Sequence, residues 1–214
     1  MQTVAVIDYG VSNLRSVERA LTHVAGTGAS VRLAASPEDL RGADRIVFPG
    51  QGAIGDCMRH MRERGLDQAL LEAVRERPFL GLCLGLQSLL DFSEEDGGTP
   101  GFGLFPGKVV RFPAGMKDPA TGLALKVPHM GWNQVWPTRA HPLWEGIEPG
   151  SRFYFVHSYY VVPERQEEVA ATCSYGLEFA CALARDNLFA VQFHPEKSQR
   201  DGLRLLANFL AWEP

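Results

Sequence analysis

Strand-like and helix-like segments alternate through the first 92 residues, and this alternation restricts the fold more than any other feature of the sequence. Short apolar runs rich in β-branched residues predict strands at 3–8, 31–34, 45–48 and 78–82. Helical periodicity predicts helices at 13–22, 58–75 and 84–92, and Ser36 followed by Pro37 predicts another helix start. Strands that alternate with helices form right-handed βαβ units. We therefore expect an α/β fold with a mainly parallel, doubly wound sheet and helices on both faces.

The second half of the chain has a different pattern. Strand-like segments follow one another with only turns between them, which indicates an antiparallel extension of the sheet. They lie at 108–112, 133–136, 153–161, 169–174 and 179–185. A strand at 188–193 and a helix at 202–210 then close the chain. No repeat or linker divides the 214 residues, so we expect one domain over 1–214.

Composition argues against several classes of protein. Hydrophobic residues make up 45% and charged residues 21%, which is typical of a globular protein rather than a disordered or coiled-coil one. The net charge of −4 provides no basic excess for nucleic acid, and no apolar run is long enough to cross a bilayer. The N-terminus lacks signal-peptide features, and the four cysteines lack metal or disulfide-scaffold spacing. We expect reduced thiols in the cytoplasm, with no metal and no cofactor.

Chemically distinctive segments follow three of the predicted strands, at 49–52, 81–87 and 194–198. In open parallel sheets, functional groups gather beyond the carboxyl ends of the strands. We therefore expect these three segments to meet in one site.

The segment Gly81-Leu82-Cys83-Leu84-Gly85 has the pattern of a nucleophile elbow with cysteine as the nucleophile. Such a strand-to-helix turn is tight, and side chains at the flanking positions would collide with neighbouring backbone. Cys83 would stand at the start of the next helix, where the dipole favours a thiolate and the Leu84 amide can donate to an oxyanion. The alternative is a buried structural cysteine in a glycine-rich turn.

His194 is the candidate proton shuttle among the six histidines, because an acid follows it at the spacing of a triad orienter. Pro195 favours an extended backbone, so His194 and Glu196 should face the same side. Glu196 could then accept a hydrogen bond from the imidazole and stabilise its charged form. The alternative is an ordinary surface turn.

Pro49-Gly50-Gln51-Gly52 is the candidate oxyanion loop. Gly50 and Gly52 give the Gln51 peptide orientations that other residues could not reach, so an amide of this loop could join that of Leu84. The alternative is a plain glycine-rich turn at a strand end. A phosphate loop is disfavoured, because no Lys-Ser/Thr follows and the GxGxxG spacing is absent.

Together these motifs resemble the class I, or triad, glutamine amidotransferases over nearly the whole chain. Within that family the sequence is similar to the glutaminase subunits of imidazole glycerol phosphate synthase. The segments that carry this closer resemblance are Asp8-Tyr9-Gly10, Asn13-Leu14-Arg15-Ser16-Val17, Pro128-His129-Met130-Gly131-Trp132-Asn133, Phe155-Val156-His157-Ser158-Tyr159-Tyr160 and His194-Pro195-Glu196-Lys197-Ser198. Ser12 departs from the usual glycine of the first segment.

The resemblance implies that Cys83 attacks the side-chain amide of glutamine and that His194 protonates the departing ammonia. A γ-glutamyl thioester forms, and water activated by His194 hydrolyses it. The resemblance also implies that Gln87 contacts the glutamine head and that Ser158 and Tyr159 hold its amino-acid end.

It further implies a partner, a (β/α)₈ cyclase subunit that forms a heterodimer with this chain. Ammonia would pass to it by a shielded route and react there to give imidazole glycerol phosphate and an aminoimidazole carboxamide ribotide. Asn13, Trp132, Tyr154 and Lys197 correspond to the partner face. Alternatively, the aromatic residues belong to the core and Lys197 is solvated. The acidic segment 93–100 is expected to be a solvated excursion.

Other functions remain open at this point. The triad alone does not separate this family from glutaminases of anthranilate, guanylate or pyridoxal phosphate synthesis. A stand-alone cysteine hydrolase would need no partner, and a non-catalytic binding module would have lost its triad.

Overall fold

The computed structural model describes residues 1–10 and 14–214. In the first half of the chain, strands and helices alternate as expected. They are β1 (Gln2–Ile7), α1 (Arg15–Ala25), β2 (Ala29–Ala34), α2 (Pro37–Arg41), β3 (Arg45–Gly50), α3 (Ile54–Glu63), α4 (Leu66–Ala73), β4 (Phe79–Cys83) and α5 (Leu84–Gln87). The predicted helix start is confirmed: the Ser36 hydroxyl accepts a hydrogen bond from the Asp39 amide, and the Asp39 carboxylate accepts one from the Ser36 amide.

The second half consists mainly of strands and ends in a helix. Its elements are β5 (Leu90–Ser93), β6 (Thr99–Pro100), β7 (Phe105–Arg111), β8 (His129–Gln134), β9 (Trp136–Pro137), β10 (Arg152–His157), β11 (Tyr159–Pro163), β12 (Val169–Ser174), β13 (Glu178–Arg185), β14 (Leu188–Val191) and α6 (Gln199–Ala211).

The main sheet has a parallel centre, in the order β2-β1-β3-β4-β14. It continues through β13, β11 and β7, which pair antiparallel with one another and with β14, so the expected antiparallel extension is present. The pairing of β5 with β7 is parallel and departs from that expectation. β8 and β10 do not join the main sheet and form a separate two-stranded antiparallel ribbon, named here the β8–β10 ribbon.

Helices cover both faces of the parallel centre. Along β1, Val4 and Val6 pack with residues of α1 and α6, whereas Ala5 and Ile7 pack with residues of α3 and α4. This alternation is the normal consequence of side chains that point to opposite faces of a strand. The doubly wound α/β fold is thus confirmed. Among the described residues, no helix has both the length and the apolar character needed to cross a membrane.

Two predicted helices are wrong in extent. The expected helix at 58–75 is two helices, because the chain turns at Gly65 with a left-handed φ of 67° that glycine tolerates. The expected helix at 84–92 ends at Gln87, and Leu90–Ser93 is strand β5. In a short apolar run such as 84–92, periodicity alone does not distinguish a helix from a strand.

Two predicted strands are also divided. The expected strand at 153–161 is β10 and β11, separated at Ser158, and these two strands belong to different sheets. The expected strand at 133–136 ends β8 and begins β9, again in different sheets. The breaks matter because Ser158 and the ribbon border the site described next.

Candidate active site

Cys83 lies at the elbow between β4 and α5, with φ 54° and ψ −105°, a conformation that L residues rarely adopt. A Cβ on Gly85 would come within 1.9 Å of the Phe48 carbonyl oxygen, so only glycine fits there. A Cβ on Gly81 would lie 3.0 Å from both the Ala190 Cβ and the Gly85 carbonyl oxygen. These close approaches hold the backbone of the elbow in its strained form.

The sheet brings the three sequence segments to one edge. Gly50, the last residue of β3, is in register with Cys83, the last residue of β4. β14 pairs with β4 on the other side, with Val191 beside Leu82, and its chain continues to His194. The three neighbouring strands are parallel, so their carboxyl ends deliver these residues to the same place.

His194 and Glu196 are hydrogen-bonded, with 2.9 Å between Nδ1 and Oε1, and both side chains are buried. A proton on Nδ1 leaves Nε2 as the nitrogen available for proton transfer. Burial alone would lower the pKa of His194. The negative charges of a Cys83 thiolate and of Glu196, together with the hydrogen bond to Glu196, instead raise it to about 10. The arrangement therefore favours the imidazolium form of His194 at neutral pH.

Cys83 and His194 open onto a common cavity of about 340 Å³. Its other lining residues come from five segments of the chain. They are Gln51, Gly52, Leu84, Gln87, Glu95, Pro128, Val156, His157, Ser158 and Tyr159. A concave site with one cysteine, two imidazoles and several other polar side chains is suited to a small polar substrate.

The predicted oxyanion loop borders the cavity, but in this conformation its central amide points elsewhere. The Gln51 N–H donates to the Tyr9 hydroxyl at 3.3 Å. Gly52 has φ 88° and open space where a side chain would stand. The Leu84 amide is the first N–H of α5 and has no acceptor within the helix. The oxyanion roles of Gly50, Gln51, Gly52 and Leu84 stay predictions.

α5 is a single turn, and this weakens one part of the sequence argument. We expected a longer helix whose dipole favours the thiolate form of Cys83. A helix of four residues supplies less of that field than the expected helix of nine would.

The three predicted substrate residues all line the cavity. Gln87 is already engaged, since its Nε2 donates to the Tyr159 carbonyl oxygen at 3.0 Å and to Oε1 of Gln192 at 3.1 Å. Ser158 and Tyr159 follow the end of the ribbon and line the cavity. Their contacts with glutamine stay predictions.

The sequence analysis missed two polar residues at the site. Glu95 was placed in a solvated excursion, which is wrong: its carboxylate lines the cavity and accepts a hydrogen bond from the Ile54 amide at 2.9 Å. Burial, together with the nearby Asp96, raises the pKa of Glu95, which the Ile54 hydrogen bond partly offsets. Gln192 is fully buried and its Nε2 lies 3.6 Å from Sγ of Cys83. The signal for Gln192 is a single polar residue inside the apolar run predicted as a strand at 188–193.

The other cysteines lie outside the cavity lining and are buried. Burial raises the pKa of Cys57 and of Cys173 to about 12, and that of Cys181 also lies well above the usual value. They are protonated at neutral pH and are poor nucleophiles. Within the described part of the chain, no group of three or more His, Cys, Asp or Glu side chains is arranged to hold a metal ion.

Three of the four predicted interface residues form one cluster. Trp132 and Tyr154 are paired across the β8–β10 ribbon with ring centroids 6.1 Å apart, and the Lys197 ammonium lies 6.0 Å from the Tyr154 ring. The Trp132 side chain is exposed, which excludes the core alternative for that residue. Asn13 lies outside the described residues. The cluster adjoins the site, because the His194 amide donates to the Tyr154 carbonyl oxygen.

Comparison with known proteins shows the family of this chain. The family model for class I glutamine amidotransferases matches residues 5–212. The imidazole glycerol phosphate synthase subunit HisH of Dechloromonas aromatica is 56% identical over 213 residues, covering 100% of this chain and 98% of that protein. The subunit HisH of Nitrosococcus oceani is also 56% identical, covering 99% of this chain and 98% of that protein.

A solved glutamine amidotransferase structure shares the fold, with a TM-score of 0.68 at 21% identity, and the match covers 97% of both chains. The family match and the full-length relatives together identify the chain. It belongs to the class I glutamine amidotransferases and, within them, to the group of HisH subunits of imidazole glycerol phosphate synthase.

Proposed function

We propose that the cavity hydrolyses glutamine through a triad of Cys83, His194 and Glu196. The supporting observation is the buried pair of His194 and Glu196 beside a strained cysteine at the sheet edge. The thiolate attacks the side-chain amide carbon, and His194 protonates the departing ammonia. His194 then activates the water that releases glutamate from the thioester. Glu196 holds the imidazole in orientation and stabilises its charge.

The Leu84 amide and an amide of the loop Gly50-Gln51-Gly52 stabilise the oxyanion of the tetrahedral intermediate. Because the Gln51 amide donates to Tyr9 in this structure, the loop has to turn before it can take part. A turn of this kind, driven by binding of the partner, would couple glutamine hydrolysis to the presence of an ammonia acceptor. The open space around Gly52 is compatible with such a movement.

Glu95 is the candidate for the α-ammonium group of glutamine. Among the described residues that line the cavity, Glu95 is the one with a carboxylate. The nearby Glu196 is already hydrogen-bonded to His194. A cationic group next to it would compensate for the burial that disfavours its charged form. Gln87, Ser158 and Tyr159 would complete the contacts to the rest of the molecule.

The relatives indicate the partner. We propose that ammonia passes to the (β/α)₈ cyclase subunit of imidazole glycerol phosphate synthase, in histidine biosynthesis, and that the whole chain 1–214 acts as one glutaminase domain. The exposed Trp132 beside Tyr154 and Lys197 supports a docking surface there, because aromatic residues dominate interface energetics. Four buried, unpaired cysteines are consistent with a cytoplasmic enzyme.

One experiment tests this function. The purified chain is mixed with glutamine, with and without the cyclase subunit and its ligand, and glutamate is measured. Strong stimulation by the partner is the expected result. High activity without the partner would indicate a stand-alone hydrolase, and no glutamate in any mixture would contradict the proposal.

A further inference from the structure

Gln192 has no evident role in binding the substrate. Its side chain is fully buried, and it is absent from the residues that line the cavity. Its Nε2 nevertheless lies 3.6 Å from Sγ of Cys83. A buried amide is costly unless it is hydrogen-bonded, so its contact with the sulfur needs an explanation.

The direction of this hydrogen bond follows from its neighbours. The Tyr159 carbonyl oxygen can only accept, so the group of Gln87 that faces it must be the NH₂ group. The same Nε2 of Gln87 donates to Gln192, so Gln192 must present its oxygen to Gln87. A flipped Gln192 would set two NH₂ groups against each other. Its own NH₂ group is therefore held toward the sulfur.

The Tyr159 carbonyl oxygen is itself fixed by a second set of hydrogen bonds. It accepts a hydrogen bond from Nδ1 of His157, at 2.8 Å. The Nε2 atom of His157 then accepts from Nδ1 of His129 at 2.9 Å, and Nε2 of His129 accepts from the Asn133 amide at 3.2 Å. Burial lowers the pKa of His157 to about 3 and that of His129 to about 4, so both rings are neutral and these tautomers persist.

We propose that Gln192 is a positioning residue for the nucleophile: its amide donates a hydrogen bond to the Cys83 sulfur, and Gln87 and the Tyr159 carbonyl oxygen fix the direction of that bond. The bond stabilises the thiolate and limits rotation of the thiol at the strained elbow. This inference rests on the proposed role of Cys83 as nucleophile. It adds a hydrogen-bond donor to the sulfur that lies outside the triad and outside the substrate cavity.

The test is the rate at which iodoacetamide alkylates Cys83, measured from pH 5 to pH 10 in the full chain without glutamine. In Gln192→Leu the donor is lost, and we expect alkylation at pH 6 to slow about tenfold, with little change at pH 10 where the thiolate forms without help. Gln192→Glu keeps the shape but places a negative charge near the sulfur, so we expect a larger slowing in the same direction. In glutamine turnover, kcat should fall while KM stays unchanged.

Gln166→Leu is the control, since this exposed glutamine lies outside the cavity lining. Wild-type alkylation profiles in both Gln192 variants would overturn the proposal. If the leucine variant does not fold, two other measurements decide. Alkylation of Cys83 must be slower in Gln192→Glu than in the wild type. In the wild-type chain, the NMR resonances of the Gln192 side-chain NH₂ group must shift as the Cys83 thiol titrates, and in Cys83→Ser these resonances must not shift with pH. Alkylation needs no glutamine, so a failure of the proposed function would appear separately, as absent glutamate in the wild type.

Discussion

The carboxyl edge of the parallel sheet and the β8–β10 ribbon border the same cavity, but they hold their residues in different ways. At the edge, neighbouring backbones lie so close that Gly85 admits no side chain, and Cys83 is forced into a rare conformation. In the ribbon, successive side chains alternate between the inner and the outer face. His129 faces inward, while Met130 and Trp132 face outward and are 62% and 42% exposed.

The difference separates two tasks. The edge fixes the positions of Cys83 and His194 through backbone geometry, which the binding of another molecule does not easily change. The ribbon joins an exposed aromatic surface on one side to hydrogen-bonded histidines beside the cavity on the other. Substitutions at the edge should therefore alter the chemistry, and substitutions on the outer face of the ribbon should alter partner binding. Four variants test this separation.

The largest effect is expected for Cys83→Ala. Without the thiol no thioester can form, so glutamine hydrolysis should fall by about 10⁴-fold or more. Synthesis by the cyclase with added ammonia should continue, because that step does not use the thiol. Glutamate release and product formation are measured side by side in the complex. Glutamine-driven synthesis that survives the change would contradict the assignment of Cys83, and Cys57→Ala serves as the control at a buried thiol outside the cavity.

Gly52→Val tests whether the edge contains one movable part. Valine strongly disfavours the φ of 88° at this position, although there is space for its side chain. We expect partner-stimulated turnover to fall about a hundredfold, the usual cost of one oxyanion donor, while alkylation of Cys83 stays unchanged. Gly50→Val is a poorer test, because its Cβ would lie 2.7 Å from that of Leu84. Unchanged stimulated turnover in Gly52→Val would contradict a role for this loop.

Glu196→Gln tests how the edge sets the charge of its histidine. His194 has a raised pKa of about 10, so its protonated form is present at neutral pH and is lost as the pH rises through that value. Removing the Glu196 charge lowers this pKa, so the loss begins at lower pH. We expect turnover at pH 9 to fall about 30-fold, with a smaller loss at pH 7. The pH profile of kcat measures this, and an equal loss at every pH would point to orientation alone.

The smallest effect is expected on the ribbon. Trp132→Ala should weaken binding to the cyclase about tenfold, because an aromatic residue at the centre of an interface contributes strongly to affinity. The free energy of unfolding should change by less than about 0.5 kcal/mol, since the side chain is exposed. Titration calorimetry and thermal unfolding measure the two quantities. Trp136→Ala, on the exposed Trp136 of β9, is the matched control, and equal weakening by both variants would argue against a specific surface at Trp132.

The sequence was informative where short-range patterns determine the structure. The elbow at Cys83 and the order of the strands before it follow from strand, turn and helix signals along the chain. The doubly wound arrangement then brings the carboxyl ends of β3, β4 and β14 together, so the meeting of Gly50, Cys83 and His194 was predictable.

Long-range packing determines what the sequence did not reveal. The pairing of β8 with β10, separate from the main sheet, depends on contacts between distant segments. Glu95 reaches the cavity because its carboxylate binds the first amide of α3, some 40 residues earlier in the chain. The direction of the Gln192 amide depends on the carbonyl group of Tyr159, which lies on another strand. None of these relations leaves a local pattern in the sequence.

The unusual backbone of Cys83 also bears on how this enzyme can be engineered. Only glycine adopts φ 54° and ψ −105° without strain, so Cys83 itself weakens the fold by ~1–3 kcal/mol. Selection for heat resistance alone would favour Cys83→Gly and would discard the activity. Thermostable versions should therefore be sought with turnover as a second criterion in every round, and with improvements made away from this bend.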